Sequence, residues 1–150
     1  GMIFKVSKMY VDHQEDREDL FQEIIYQLWK SYQNFEGKSQ FSTWLYGVSI
    51  NTALTFLNKE KKKTDNASLT ENIDVQDENS DEKETQLEFF YKAVHELNPV
   101  EKALIFLFLE GQSHKEIATN LGITEVNARV KLNRTKEKLQ QIIKNYGYEF

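Results

Sequence analysis

Apolar residues recur along this chain at spacings of three and four, and no sustained alternation marks a strand, so the pattern predicts helices throughout. Residues 2–10 put Ile3, Val6 and Met9 or Tyr10 on one stripe. After the polar stretch DHQED, the positions Leu20, Phe21, Ile24, Ile25, Leu28, Tyr32 and Phe35 form a wide stripe suited to a broadly buried helix, with Trp29 in its core or on its rim. Asp16 is the expected cap of that helix, with Asp19 where a capping box would place a glutamate. The loop FEGKS follows, with Gly37 as its flexible point and Ser39 as the next cap. From Gln40 a third helix carries Phe41, Trp44, Leu45, Val48, Thr52, Phe56 and Leu57. Phe41 and Leu45 are expected in the core, whereas Trp44 suits core and surface equally. Three such helices can share one small core.

Residues 64–85 interrupt this pattern with many acids and few apolar side chains, which predicts a flexible acidic linker and a domain boundary. A second helical unit begins near Gln86, with Leu87, Phe90, Val94 and Leu97 as its first stripe. Asn98-Pro99-Val100-Glu101 reads as a helix start, with a cap, a proline in the first turn and an acid to answer the cap. The apolar run Leu104 to Leu109 predicts a helix at the centre of this unit.

The sharpest local signals lie between Ser113 and Leu139. Ser113 and Glu116 have capping-box spacing, Ile117, Ala118 and Leu121 form a short stripe, and Gly122 is suited to the left-handed residue that ends a helix. Thr124 then caps a helix on which Ala128, Leu132, Thr135 and Leu139 recur at spacings of four, three and four. Two helices joined so tightly predict a helix-turn-helix, whose second helix would enter a DNA major groove. Arg129, Lys131, Arg134, Lys136 and Lys138 on that helix suit phosphates.

Charge first argues against DNA and then for it. The net charge is -5, but residues 1–63 carry +1, residues 64–88 carry -8 and residues 89–150 carry +2. Two weakly positive units are joined by an acidic strap. The absence of cysteine excludes disulfides and thiolate metal sites. No apolar run approaches the roughly 20 residues of a membrane helix, and no signal peptide is visible, so a cytoplasmic chain is expected. Catalysis finds little support. His13, His95 and His114 are isolated, the acids Asp16, Glu18, Asp19 and Glu23 have no His or Cys companion, and no glycine-rich phosphate loop occurs. Neither a cofactor nor a metal is expected. Gly1 before Met2 reads as a cloning remnant, so the chain is expected to begin inside a longer one.

Residues 16–57, DREDLFQEIIYQLWKSYQNFEGKSQFSTWLYGVSINTALTFL, resemble the second region of bacterial sigma factors of the sigma-70 family, extracytoplasmic-function (ECF) group. Residues 97–139, LNPVEKALIFLFLEGQSHKEIATNLGITEVNARVKLNRTKEKL, resemble the fourth region of the same group. The resemblance implies an all-α chain of two small helical domains. Residues 1–63 would be the region 2-like domain, 64–85 the acidic linker, and 86–150 a region 4-like four-helix domain with the helix-turn-helix. The first domain would dock on core RNA polymerase through Asp19, Gln22, Glu23, Leu28, Trp29 and Lys30. It would also read and melt the −10 promoter element, using Phe35, Gly37, Lys38, Trp44 and Asn51, with Lys59, Lys61, Lys62 and Lys63 on phosphate. The second domain would bind the −35 element through Glu125, Asn127, Arg129 and Lys131, with Arg134 and Lys136 on phosphate.

Core RNA polymerase, promoter DNA and an anti-sigma factor are the partners the resemblance implies, and the chain itself would be no enzyme. Some positions depart from the family pattern. Arg17 stands where alanine is frequent, Ser49 and Ile50 where a basic residue is frequent, and Val126 and Val130 where the recognition helix is usually small or polar. The family also usually has more of its first helix before Met2. These departures leave two alternatives beside a promoter-specificity subunit: a sigma-like negative effector that opens promoters poorly, and a free-standing helix-turn-helix regulator.

Overall fold

A computed structural model describes residues 1–37, 40–65 and 82–147, and these form seven α-helices. They are α1 (Met2–Tyr10), α2 (Gln14–Tyr32), α3 (Phe41–Asp65), α4 (Glu82–His95), α5 (Pro99–Leu109), α6 (His114–Leu121) and α7 (Glu125–Asn145). The all-α expectation holds. Helices α1 to α3 pack together, α4 to α7 pack together, and the two groups meet where α3 lies against α6 and α5, and where α1 lies against α4 and α5. One continuous core runs through both, from Val6, Leu20 and Ile24 through Ile50 to Leu104, Leu107, Ile117 and Leu132.

The second group is built from the local signals read above. Asn98 accepts from the Glu101 amide at 2.8 Å, and the Glu101 carboxylate accepts from the Asn98 amide at 3.0 Å. Ser113 and Glu116 form the same reciprocal pair at 3.1 and 3.3 Å. Gly122 ends α6 at φ 68, and the Thr124 hydroxyl accepts from the Asn127 amide at 3.1 Å to start α7. Ala128, Leu132, Thr135 and Leu139 are all buried, as their spacing requires. Replacing Ser113 with alanine removes one half of its box, and thermal unfolding is expected to report a loss of about 1 kcal/mol.

The first group corrects several expectations. Helix α2 starts at Gln14, with His13 as a cap that makes no side-chain bond, so Asp16 sits inside the first turn rather than capping it. There it is placed to interact with the helix dipole instead. The wide stripe of α2 is narrower than its sequence suggests. Leu20 and Ile24 are buried and Leu28 is half-buried, but Phe21, Ile25 and Tyr32 are exposed, and Trp29 is 78% exposed. Phe41 is exposed as well, against the expectation of core, because it sits at the very start of α3 beyond the edge of α2. Leu87, Phe108 and Leu109 likewise end on the surface of the second group.

Helix α3 is the centre of the molecule, touching α1, α2, α5 and α6. Its buried positions are therefore Thr43, Gly47, Ser49, Ile50, Thr52 and Ala53, which is no simple apolar stripe. Two of the buried hydroxyls are satisfied within the helix: Ser49 donates to the Leu45 carbonyl and Thr52 to that of Val48, each at 2.7 Å. The linker expectation also shifts at its ends, since α3 reaches Asp65 and α4 begins at Glu82. Ser39 as a cap and residues 66–81 of the expected linker lie outside the described residues.

Polar contacts pin the two groups together. Tyr10 is buried, its hydroxyl donates to the Pro99 carbonyl at 2.8 Å, and burial raises its pKa far above the usual phenol range. Asp12 meets His95 at 3.1 Å, and Lys5 meets Glu110 at 3.6 Å.

Candidate functional site

Three surfaces gather the residues singled out in the sequence. The first is the outer side of α2. At about 100° per residue, Asp19, Gln22, Glu23, Trp29 and Lys30 share one broad face, while Leu28 falls on the side that packs against the core. Leu28 therefore departs from the set. Asp19, Gln22, Trp29 and Lys30 are exposed, and Glu23 is half-buried, accepting a bond from Gln27 at 3.1 Å. Beside this polar face, Phe21, Ile25, Trp29 and Tyr32 line up at spacings of four, four and three as an exposed apolar strip. The sequence pattern assigned most of that strip to the core. An exposed run of large apolar side chains beside acids is suited to a protein partner.

The second surface is the turn from α2 into α3. Phe35, Phe41 and Trp44 form an aromatic cluster, with ring centroids 5.2 Å (Phe35–Trp44), 5.4 Å (Phe41–Trp44) and 6.0 Å (Phe35–Phe41) apart. Tyr32 adds an edge contact to Trp44 at 6.2 Å. Gly37, at φ 71, makes the turn in a backbone region that side chains rarely adopt. From Trp44 a cleft of about 700 Å³ runs along α3 past Asn51 to Lys59, walled by Glu23, Gln27 and Ser31 of α2 and by Thr119 and Asn120 of α6. Asn51 is exposed, and its side-chain amide donates to the Asn120 carbonyl at 3.4 Å. Lys59, Lys61 and Lys62 are exposed on the last turns of α3. Lys38 and the Lys63 side chain lie outside the described residues. The chemistry on offer is stacking from the ring faces and phosphate attraction from the lysines.

The third surface is the outer face of α7. Opposite its core stripe stand Val126, Val130, Asn133 and Glu137, flanked by Asn127 and Arg134, all exposed. Val126 and Val130 thus point away from the protein and offer methyl groups to a groove. The sequence could have shown this, since both valines fall outside the stripe set by Ala128, Leu132, Thr135 and Leu139. Glu125 and Arg129 lie toward one edge and pair weakly at 3.9 Å. Lys131 and Arg134 line a second cleft, of about 590 Å³, together with Leu54, Leu57 and Asn58 of α3. Lys136 is set over the Phe108 ring at 3.7 Å. Its ammonium is thereby held at the end of α5 rather than beside the other cations. The turn before α6 is fixed in part by Glu116, whose carboxyl is held below its ordinary value by the Thr43 hydroxyl and the Ser113 amide and hydroxyl.

Among the described residues, no three His, Cys, Asp or Glu side chains gather as a metal site, and no helix is long and apolar enough to cross a membrane.

Residues 1–63 match the family model of sigma-70 region 2, and residues 90–139 match that of sigma-70 region 4. The chain is 30% identical over 146 residues to the RNA polymerase sigma factor SigV of Bacillus subtilis (strain 168), an alignment spanning 91% of this chain and 86% of that one. It is 28% identical over 155 residues to the ECF RNA polymerase sigma factor SigG of Mycobacterium tuberculosis (strain CDC 1551 / Oshkosh), spanning 85% of this chain but only 42% of that relative. In fold it is similar to the sigma factor RpoE from Bartonella quintana, solved in complex with the anti-sigma factor NepR. The TM-score is 0.72 at 21% identity, over 95% of this chain and 89% of that one.

Proposed function

Because this chain belongs to the sigma-70 family of RNA polymerase sigma factors, in its ECF group, we propose that it is a promoter-specificity subunit, which binds core RNA polymerase and directs it to −10 and −35 elements. The work divides between two units, residues 1–63 and 86–150, joined by the acidic segment 64–85. The outer side of α2, with Asp19, Gln22, Glu23, Trp29 and Lys30, docks on the polymerase. The aromatic turn around Phe35, Gly37 and Trp44 receives an unstacked base, Asn51 lies farther along the same strand path, and Lys59, Lys61 and Lys62 hold phosphates. Unstacking costs a few kcal/mol per base, which stacking on rings at about 1–3 kcal/mol per base can offset. Helix α7 reads duplex DNA through Val126, Asn127, Val130 and Arg134. No group of the chain acts on a substrate; the polymerase supplies the chemistry. Such a subunit works in the cytoplasm, where polymerase and chromosome are. An anti-sigma factor is proposed as a further partner. The groove lined by Met9, Leu87, Phe90 and Leu109 gives it apolar surface to cover.

The observation that carries this reading is the union, in one chain, of a partly exposed ring cluster at the α2–α3 turn and a recognition helix with an exposed outer face. One observation favours the negative-effector alternative: Ser49 and Ile50 are wholly buried, so α3 offers no cation there. Transcription of host genomic fragments by core polymerase plus this chain separates the readings. A sigma factor produces starts at a defined set of promoters. A negative effector binds core and produces none, and a lone regulator binds duplex DNA without core.

For the promoters so recovered, Arg134→Ala is expected to lower the slope of log affinity against log salt by about one unit, as loss of one phosphate contact requires. A titration at several salt concentrations measures it.

A further inference from the structure

Two valines stand on the face of α7 that is turned away from the protein. Val126 is 65% exposed and Val130 is 40% exposed, whereas Ala128, Leu132, Thr135 and Leu139 are the buried stripe of that helix. At about 100° per residue, Val130 points almost directly opposite that stripe, and Val126 lies about 40° beside it. Asn127, Asn133 and Arg134 flank the pair, all exposed. The valines contribute little to the fold. Their side chains lie outside the core, and a β-branched residue is a poorer helix former than alanine.

The surroundings of this pair select its partner. Arg134 follows Val130 by one turn, and Lys131 is its neighbour in the chain. Lys136 leans over the Phe108 ring at 3.7 Å and Lys138 meets Glu101 at 2.9 Å, so those two cations are held toward protein. A protein is the poorer fit for what remains. Two valines among amides and a guanidinium make a small patch, and valine is under-represented among the residues that anchor protein interfaces. The strip on α2, with Trp29 and Tyr32 exposed, is the contrasting case. A duplex suits both features of α7. Its phosphates meet the cations, and its major groove displays one apolar group, the thymine C5-methyl.

We propose that Val126 and Val130 are specificity-determining residues that recognise thymine methyl groups, so that the upstream element of this chain carries a thymine at each position they face. This rests on the reading of α7 as a DNA-recognition helix, and the test separates the two. Val126 and Val130 are the second and sixth residues of α7, in the turns that approach base edges when such a helix docks. Four residues advance about 6 Å along the axis. At about 3.4 Å per base pair, the two side chains therefore reach methyls one or two steps apart. Each valine is stiff at χ1, so little side-chain freedom is lost when its methyls meet that of the base. The preference also excludes. A valine has no donor or acceptor, so a cytosine amino group or guanine oxygen set against it loses water and gains nothing.

The test uses the full chain with core polymerase on the recovered promoters. Each thymine of the upstream element is replaced in turn by deoxyuridine, which pairs identically but lacks the methyl group. Closed-complex affinity is then measured for the natural chain, Val126→Ala and Val130→Ala. Two positions are expected to lose about 4-fold each, which is about 0.8 kcal/mol for one buried methyl. Val130→Ala should abolish the penalty at one position and Val126→Ala at the other, as a double-mutant cycle requires for direct contact. Both variants should unfold no earlier than the natural chain, since alanine favours the helix. Equal affinity for every uridine duplex would overturn the proposal while leaving α7 a DNA helix. Penalties that persist in both alanine variants would do the same, and loss of core affinity without DNA would give the valines to a protein surface. A polymerase complex that forms but protects no upstream element would remove the DNA reading of α7, and the proposal with it.

Discussion

Replacing Asp19 and Glu23 together with lysine is expected to weaken binding to core RNA polymerase by about 100-fold, close to 3 kcal/mol, with the fold intact. Both carboxylates lie on the outer side of α2, one turn apart, on the face proposed to meet the polymerase. Reversal turns attraction into like-charge juxtaposition, which costs several kcal/mol across an interface. The folded chain itself should notice little. Asp19 is exposed, and Glu23 gives up one bond from Gln27 on the same helix, so thermal unfolding should move only slightly. Trp29→Ala provides an uncharged companion. A tryptophan 78% exposed in the free chain has much area to bury at an interface, and such residues are frequent hot spots. Equilibrium binding with labelled chain and purified core measures both. Unchanged affinity in the reversal variant would place the polymerase contact elsewhere.

Trp44→Ala is expected to lower open-complex formation by about 10- to 100-fold, while binding to closed duplex through α7 is retained. Trp44 is half-buried and stands at the centre of the ring cluster, against Tyr32, Phe35 and Phe41. Removing it takes away a stacking face and loosens its neighbours together. Trp44→Phe controls for the second effect, because it keeps an aromatic face for the base. Permanganate reactivity of thymines near the start site reports opening, and footprinting of the −35 element reports closed binding. Equal opening by the alanine variant would assign Trp44 to packing alone.

The parts of this molecule legible in its sequence are those fixed locally. Ser113 with Glu116, Asn98 with Glu101, Gly122 and Thr124 act within a few residues of themselves, and each does in the structure what its spacing predicts. The stripe of α7 was readable because one face of that helix meets protein. Helix α3 was not readable in the same way. Four neighbouring helices surround it, so burial falls on Thr43, Gly47, Ser49 and Thr52, which carry no apolar signal. Phe41, Phe21 and Tyr32 mislead for the opposite reason: large rings kept exposed look like core in a sequence pattern. The α3–α6 part of the contact between the two helical groups left almost no trace, since a glycine, a threonine and asparagines stand in it.

Direct binding of the folded chain to core RNA polymerase from its own host tests the central claim most plainly. The account predicts a one-to-one complex that forms without DNA, is weakened by the Asp19 and Glu23 reversal, and starts transcription at defined promoters. A folded chain that binds duplex DNA but shows no affinity for core polymerase would contradict it.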